Sequence, residues 1–247
     1  MSLGIATDID MPARALAIGA HPDDIEFGCG ATLSKWAGAG CEVHLLVLTD
    51  GSKGTWDPGR DHDELIATRR IEQVAAAHAL GARATHFGDR VDGELDSDLT
   101  TRALVCRVIR ETRPDVVLGH DPWKRYRIHP DHRHAGLLAL EGIVAARDPL
   151  FFTDQGIDPH RPERALLFEP DEIDHVERIE AHHLDARIAA LLAHASQWES
   201  TMHISGDDTE RARTREAFVS DQRGECQRAG NLVGAALGEA FKRLDDL

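Results

Sequence analysis

Between residues 15 and 147 the chain alternates short apolar runs with segments whose apolar residues recur at helical spacing, and this alternation constrains the fold more than any other feature. Residues 15–20 (ALAIGA) and 42–49 (EVHLLVLT) leave too few polar positions for a strand with one wet face, so both read as strands buried on two sides of a sheet. Between them, residues 27–39 carry Leu33, Trp36 and Ala37 at helical spacing and stop at Gly38 and Gly40, completing a strand, helix, strand unit. A second helix is predicted over 63–80, with Leu65, Ile66, Ile71, Val74 and Ala75 on one face and Gly81 as its C-terminal cap. A strand at 84–87 follows, then a helix at 100–112 with Leu104, Val108 and Ile109 inward, a break at Pro114 and a strand at 115–119. Alternation of this kind predicts an α/β, Rossmann-like architecture, a mostly parallel sheet with helices on both faces.

The rest of the chain is less regular. Residues 149–170 hold four prolines with little periodicity and read as an irregular excursion near a site. A strand is expected at 175–179, a helix at 183–197 with Leu184, Ile188, Leu191 and Leu192 inward, a charged helix from 207 to 223, and a last helix reaching Leu244. No repeat or linker interrupts the sequence. The chain is therefore read as one domain over 1–247, a core at 13–147 with an elaboration at 148–247 packed on it.

Charge excludes some partners. The 28 Lys and Arg face 43 Asp and Glu, a net charge of −15, which has the wrong sign for tracking a phosphodiester backbone, so nucleic acid is not expected as a partner. No run approaches the roughly 18 apolar residues of a membrane span, and residues 1–11 have neither the basic nor the apolar region of a secretory signal. Cys29, Cys41, Cys106 and Cys226 form no CxxC pair and are expected to be free thiols in a reducing, cytoplasmic compartment. Histidine is the unusual residue: there are fifteen, four of them between positions 120 and 134.

The strand at 15–20 exits into GAHPDDIEFGCG, which delivers His21, Asp23 and Asp24 to the carboxyl edge of the sheet, where open parallel sheets bind ligands. A dinucleotide does not suit this turn, because its pyrophosphate would meet two carboxylates in place of bare N–H groups, and G-x-G-x-x-G does not occur. A cation suits it. The strand at 115–119 exits into HDPWKRYRIHPDHRHAG, with His129, Asp131 and His132 just before a helix expected near His134. A His and a carboxylate from one strand end, with a His from the other, make a three-ligand set of the N and O type. That set matches a catalytic zinc with one position open for water of pKa about 7, for which a spare carboxylate is the base. The plainer alternative is a helix start capped by Asp131 with surface histidines around it.

The motifs AHPDDIEFGCGATLSKWAGAG (20–40), LTDGSKGTWD (48–57), GARATHFGDRVDGEL (81–95), RPDVVLGHDPW (113–123), HPDH (129–132) and HASQ (194–197) together resemble the LmbE-like, PIG-L family of zinc-dependent N-acetylglucosaminyl deacetylases. The resemblance implies a three-layer fold of that type and a metal, Zn2+ or alternatively Fe2+, held by His21, Asp24 and His132. It implies Asp23 as general base, His129 as donor to the oxyanion or the leaving amine, and Asp131 as the group that orients the His129 ring. Arg69 and Asp92 would hold sugar hydroxyls, against plainer roles as an ion-pair residue and a turn residue. Mycothiol-type members carry a tyrosine where this chain has Arg127. Tyr126, three residues before His129, matches the diacetylchitobiose-type members and tilts the substrate toward a chitooligosaccharide or simple N-acetylglucosamine compound. Trp123 and Trp56 are candidates to stack on a sugar face. His194 is a candidate to approach the site, against a role as a helix C-terminal cation. The resemblance further implies a homo-oligomer, a trimer or hexamer. The rival readings are an amidase or deacetylase of a thiol-sugar or antibiotic sugar, a phosphoester hydrolase, and a catalytically silent sugar-binding protein on the same fold.

Overall fold

The computed structural model describes residues 4–247. Eight strands form one sheet: β1 (Ala6–Thr7), β2 (Arg14–Gly19), β3 (Glu42–Thr49), β4 (Ala84–Arg90), β5 (Val116–His120), β6 (Arg164–Phe168), β7 (His175–Arg178) and β8 (Gly238–Asp245). Their order across the sheet is β1-β7-β8-β6-β5-β2-β3-β4, and all pairs are parallel except those that β8 makes with β6 and β7. The helices are α1 (Asp24–Gly38), α2 (His62–Ala79), α3 (Leu99–Thr112), α4 (Pro130–Arg147), α5 (Ala181–Ala193) and α6 (Asp208–Asn231).

The expected α/β layers are present, and each face of the sheet has its own core. Ala15, Ala17, Val43, Leu45 and Val47 pack with Ile25, Leu33 and Trp36 of α1 and Ala76 of α2. Leu16, Ile18, Leu46 and Val117 pack on the other face with Val105 and Ile109 of α3 and Leu138 and Ile143 of α4. Successive residues of β2 and β3 thus face opposite cores, which is why these runs are continuously apolar. From β2 the chain winds outward through β3 to β4, then returns to lay β5 on the other side of β2. The loops after β2 and β5 therefore diverge at the carboxyl edge and open a crevice between them.

Several elements differ from the expectations. The segment 149–170 contains β6, paired in register with β5, and a 3-10 turn at Thr153–Gln155. The last helix ends at Asn231, and residues near Leu244 are strand β8, whose Glu, Ala, Lys and Leu favour helix in isolation but are captured between β6 and β7. Residues beyond 148 thus extend the sheet itself. On α2, Leu65 is buried as expected, but Ile71 and Val74 face solvent, and Arg69, Glu72 and Gln73 are turned inward. The reason is their partners: Arg69 and Gln73 bond the turn after β2, and Glu72 accepts from the Ser196 N–H and hydroxyl. Both α1 and α4 begin earlier than expected, which puts Asp24, Asp131 and His132 on first helical turns. Among the described residues no helix is long and apolar enough to cross a membrane.

The edge pair β1–β7 is fastened by Glu177. Its Oε1 accepts the Ile9 N–H at 2.9 Å and lies 2.8 Å from His175 Nε2, while Oε2 accepts Lys35 Nζ of α1 at 2.8 Å. Burial pushes this carboxyl up, but His175 and Lys35 outweigh burial and hold it below the ordinary 4.5. A depressed carboxyl stabilises the fold above its unfolded value and loses that contribution as pH falls through its folded value. Glu177→Gln should therefore lower stability by about 2 kcal/mol at neutral pH. Urea unfolding at a series of pH values should show the gap to wild type closing as pH falls below 4.5.

Candidate active site

His21, Pro22 and Asp23 leave β2 and turn directly into α1. The turn is strained: Asp23, at the N-cap, has φ of 97°, a left-handed conformation that costs a non-glycine residue about 1–3 kcal/mol. Two side chains of α2 hold it there. Gln73 Oε1 accepts the Asp23 N–H at 3.2 Å, and Arg69 Nη2 donates to the Pro22 carbonyl at 2.6 Å and to Asp23 Oδ2 at 3.4 Å. Arg69 Nη1 also donates to the Gly51 carbonyl at the exit of β3. The guanidinium is thus a buried clamp between two strand exits, which settles its geometry against a surface ion pair. Burial raises the Asp23 carboxyl to about 6, with Arg69 pulling down and Asp24 pushing up.

His21 sits between two sets of oxygens. Its Nε2 lies 3.1 Å from Asp92 Oδ1 and 3.2 Å from Asp131 Oδ2, both acceptors when ionised. The proton of the neutral ring therefore belongs on Nε2, and the lone pair on Nδ1 is left for another partner. Nδ1 lies 3.2 Å from Asp24 Oδ2 and 3.2 Å from His132 Nε2, and that His132 nitrogen lies 3.2 Å from Asp24 Oδ1. A tetrahedral zinc with ligands at 2.0–2.1 Å has edges of about 3.3 Å, so the spacing of these donors fits a shared cation. Burial works against charge on His21, but Asp24, Asp131 and Asp92 overcome it and hold the imidazole well above its ordinary value. Asp24 is held well below its own, His132, His120 and His21 overriding the effect of burial.

Helix α4 delivers the second motif. His129 is the N-cap but makes no side-chain capping bond, Pro130 fills the first turn, and the His129 ring meets the His21 ring edge-on at 4.6 Å. Burial, reinforced by His21 and His132, lowers the His129 imidazole, which favours the neutral form. Asp131 does not orient His129, as the sequence led us to expect. Its buried carboxylate accepts the Gly93 N–H at 2.7 Å and the Leu95 N–H at 3.3 Å and ends on His21, because the first turn of α4 faces the loop after β4. It does not cap its own helix either. Asp92, expected to hold sugar hydroxyls, also ends on His21, and its second oxygen accepts the Lys53 N–H at 3.1 Å.

These groups line a cavity of about 560 Å³. Of the residues singled out in the sequence, its wall contains His21, Asp23, Asp24, Trp56, Arg69, Asp92, His129 and His132. Four others lie off the wall, among them Asp131, which is buried behind His21. Tyr126 and Trp123 stand out from the loop after β5, with 94% and 63% of their surface exposed, and His194 is fully buried behind Asp23, with Nε2 3.8 Å from Glu26 Oε2. The loop after β5 therefore presents both aromatic residues to solvent. The sequence reading missed Lys53, Gln197, Thr201 and Glu169 on the wall and Gln73 behind it. It also missed His120, whose Nε2 lies 3.3 Å from Asp24 Oδ2 and whose ring stacks on His132 at 4.5 Å. Its signal was available: His120 ends β5 as His21 follows β2.

The fold and site define an α/β protein with a His and Asp centre in the crevice between two parallel strand exits. Residues 16–143 match the PIG-L family, described as GlcNAc-PI de-N-acetylase, and the chain belongs to that family. It is 36% identical over 188 residues to diacetylchitobiose deacetylase of Thermococcus kodakarensis, a match that covers 75% of this chain and 70% of that protein. It is 32% identical over 169 residues to the 1D-myo-inositol 2-acetamido-2-deoxy-alpha-D-glucopyranoside deacetylase of Kineococcus radiotolerans, covering 56% of this chain and 46% of that one. Among solved structures, N,N'-diacetylchitobiose deacetylase from Pyrococcus horikoshii superposes with a TM-score of 0.83 at 28% identity, over 95% of this chain and 84% of that one.

Gly136 sets how closely α4 approaches β5. A Cβ there would lie 2.5 Å from the His120 carbonyl oxygen and 3.0 Å from the Pro122 nitrogen, both backbone atoms. Gly136→Ala should cost about 1–3 kcal/mol in thermal unfolding. By moving the first turn of α4, it should also weaken divalent-metal binding measured by titration calorimetry.

Proposed function

We propose that the protein hydrolyses the acetamide of an N-acetylglucosamine-containing small molecule, releasing acetate and a free amine. The observation that carries this reading is His21 Nδ1 and His132 Nε2, 3.2 Å apart on a cavity wall, each with one oxygen of Asp24 at 3.2 Å and with Asp23 beside them. The family, and the names of both relatives, support it.

His21 Nδ1, Asp24 and His132 Nε2 are the groups that would hold a divalent metal, zinc by donor type, with ferrous iron as the alternative. When bound, such a metal supplies Lewis acidity to an acyl carbonyl and makes water nucleophilic at neutral pH. Asp23 takes the proton of the attacking water and passes it to the leaving nitrogen. Arg69 keeps that carboxylate anionic and aimed at the cavity despite its burial. The His129 ring, neutral and half-exposed, offers its single N–H to the oxygen on which charge develops. Asp92 and Asp131 hold the His21 proton on Nε2 throughout, so Nδ1 stays a ligand atom. Trp56, Lys53 and Gln197 line the same cavity as the histidines and are candidates to contact the remainder of the substrate.

All four cysteines are free and buried, which supports the cytoplasm as the compartment. Exposed apolar residues, including Tyr126, Ile128 and Leu150, support a homo-oligomer, read out by light scattering.

The test is amine release from a panel of N-acetylated sugars: chitobiose derivatives, inositol glycosides, thiol-sugar conjugates and antibiotic aglycones. At least one N-acetylglucosamine compound should be turned over, a chelator should abolish the activity, and added zinc should restore it. Asp23→Asn should lower kcat by roughly 10²–10⁴-fold while metal content stays at the wild-type level. Turnover in the chelator at the native rate, or an unimpaired Asp23→Asn enzyme, would overturn the reading.

A further inference from the structure

Glu26 is one of two acidic residues in the first turn of α1, and none of its surface reaches solvent. A carboxylate is costly in such a place, and among the described residues no lysine or arginine pairs with it. Its partners are an amide and an imidazole. Oε1 accepts Gln73 Nε2 of α2 at 2.6 Å, and Oε2 lies 3.8 Å from Nε2 of the equally buried His194.

The Gln73 amide has two ends, and only one arrangement of them suits this position. The end opposite Glu26 meets the Asp23 N–H at 3.2 Å. A backbone N–H can only donate, so the Gln73 oxygen faces Asp23 and the Gln73 NH2 group faces Glu26. The assignment requires no particular protonation state of any side chain, because Glu26 Oε1 is asked only for a lone pair. Without that acceptor the NH2 group would be unsatisfied inside the core, and nothing would choose between the two ends of the amide. Reversed, the amide would set its NH2 group against the Asp23 N–H.

Asp23 is where the orientation matters. Its φ of 97° is strained, and its side chain makes no capping bond to α1, so the carboxylate is left to Arg69 and the cavity. Arg69 holds the Pro22 carbonyl and the carboxylate, whereas among the described residues the Asp23 N–H has Gln73 alone. We infer that Glu26 is a positioning residue for Asp23: it fixes the orientation of the Gln73 amide, which holds the Asp23 backbone in its left-handed turn and the carboxylate toward the cavity. His194, from the HASQ motif, bounds the Glu26 carboxylate on its far side. The kinetic consequence rests on the proposed role of Asp23 as base, but the hydrogen bonds are testable without any activity.

The experiment compares full-length wild type with Glu26→Met, Gln73→Met, the double variant and Glu26→Gln. It reads hydrogen exchange of the Asp23 amide by 1H–15N correlation, zinc content, and amine release from N,N'-diacetylchitobiose. In Glu26→Met the Asp23 amide should exchange about five- to tenfold faster. Its kcat should fall about 10–100-fold while KM and zinc content stay at the wild-type level. Gln73→Met should behave alike, and the double variant should lose no more than either single one, because both cut the same chain. Glu26→Gln, whose side-chain carbonyl still accepts, should recover most of kcat, and thermal melting confirms that each variant is folded. Unchanged Asp23 exchange in Glu26→Met overturns the inference. So do losses that add in the double variant, a Glu26→Gln enzyme as impaired as Glu26→Met, or a fall in kcat that follows lost zinc. A wild type that releases no amine from any sugar overturns the deacetylase reading alone, and the Asp23 exchange rates then decide the inference.

Discussion

The interaction on which the site depends is the pair of carboxylates on His21 Nε2. Asp92 and Asp131 come from different elements, the loop after β4 and the first turn of α4, and both end on one ring nitrogen. With two acceptors at Nε2, the ring has one sensible tautomer, and its lone pair faces Asp24 and His132. The sheet supplies the distances: β2 and β5 are hydrogen-bonded neighbours, so the groups at their exits arrive within contact range without long loops. Burying several carboxylates and histidines without a central charge is unfavourable, and this cluster could hold a metal ion.

A second layer of polar residues does for Asp23 what the carboxylates do for His21. Arg69 and Gln73 occupy the inner face of α2, where apolar residues would ordinarily pack, and they stabilise a left-handed turn at Asp23. The cost in packing is visible outside, where Ile71 and Val74 meet solvent. A helix that surrenders its apolar face to hydrogen-bond partners is a mark of a functional surface rather than a structural one.

The parts of the structure legible in the sequence share a physical origin. Doubly buried parallel strands write themselves as unbroken apolar runs, and in such sheets ligand-binding groups follow the strand ends, so β2, β3, β5 and the HPDD and HPDH turns could all be read directly. β8 could not, because its residues favour helix locally and become strand only through partners sixty or more residues away. Roles were harder than positions. Asp131 was identified, but its partner is set by the direction of the first turn of α4, which no spacing reports. His120 sat in plain view at a strand end, inside RPDVVLGHDPW, and was passed over because the resemblance gives that position no role, while Tyr126 and Trp123 fitted a pattern and face solvent.

The placement of β8 bears on the order in which the molecule can be built. His21, Asp24 and His132 are all encoded by residue 132, and the strands that position them pair through connections closed within the first half of the chain. The edge pair β1–β7 joins the sheet only through β8, and β1 itself pairs with β7, a contact of high sequence separation. During vectorial synthesis the His and Asp cluster can therefore assemble while the far edge of the sheet is still open, and the later segments add the remaining wall of the cavity before β8 closes the sheet.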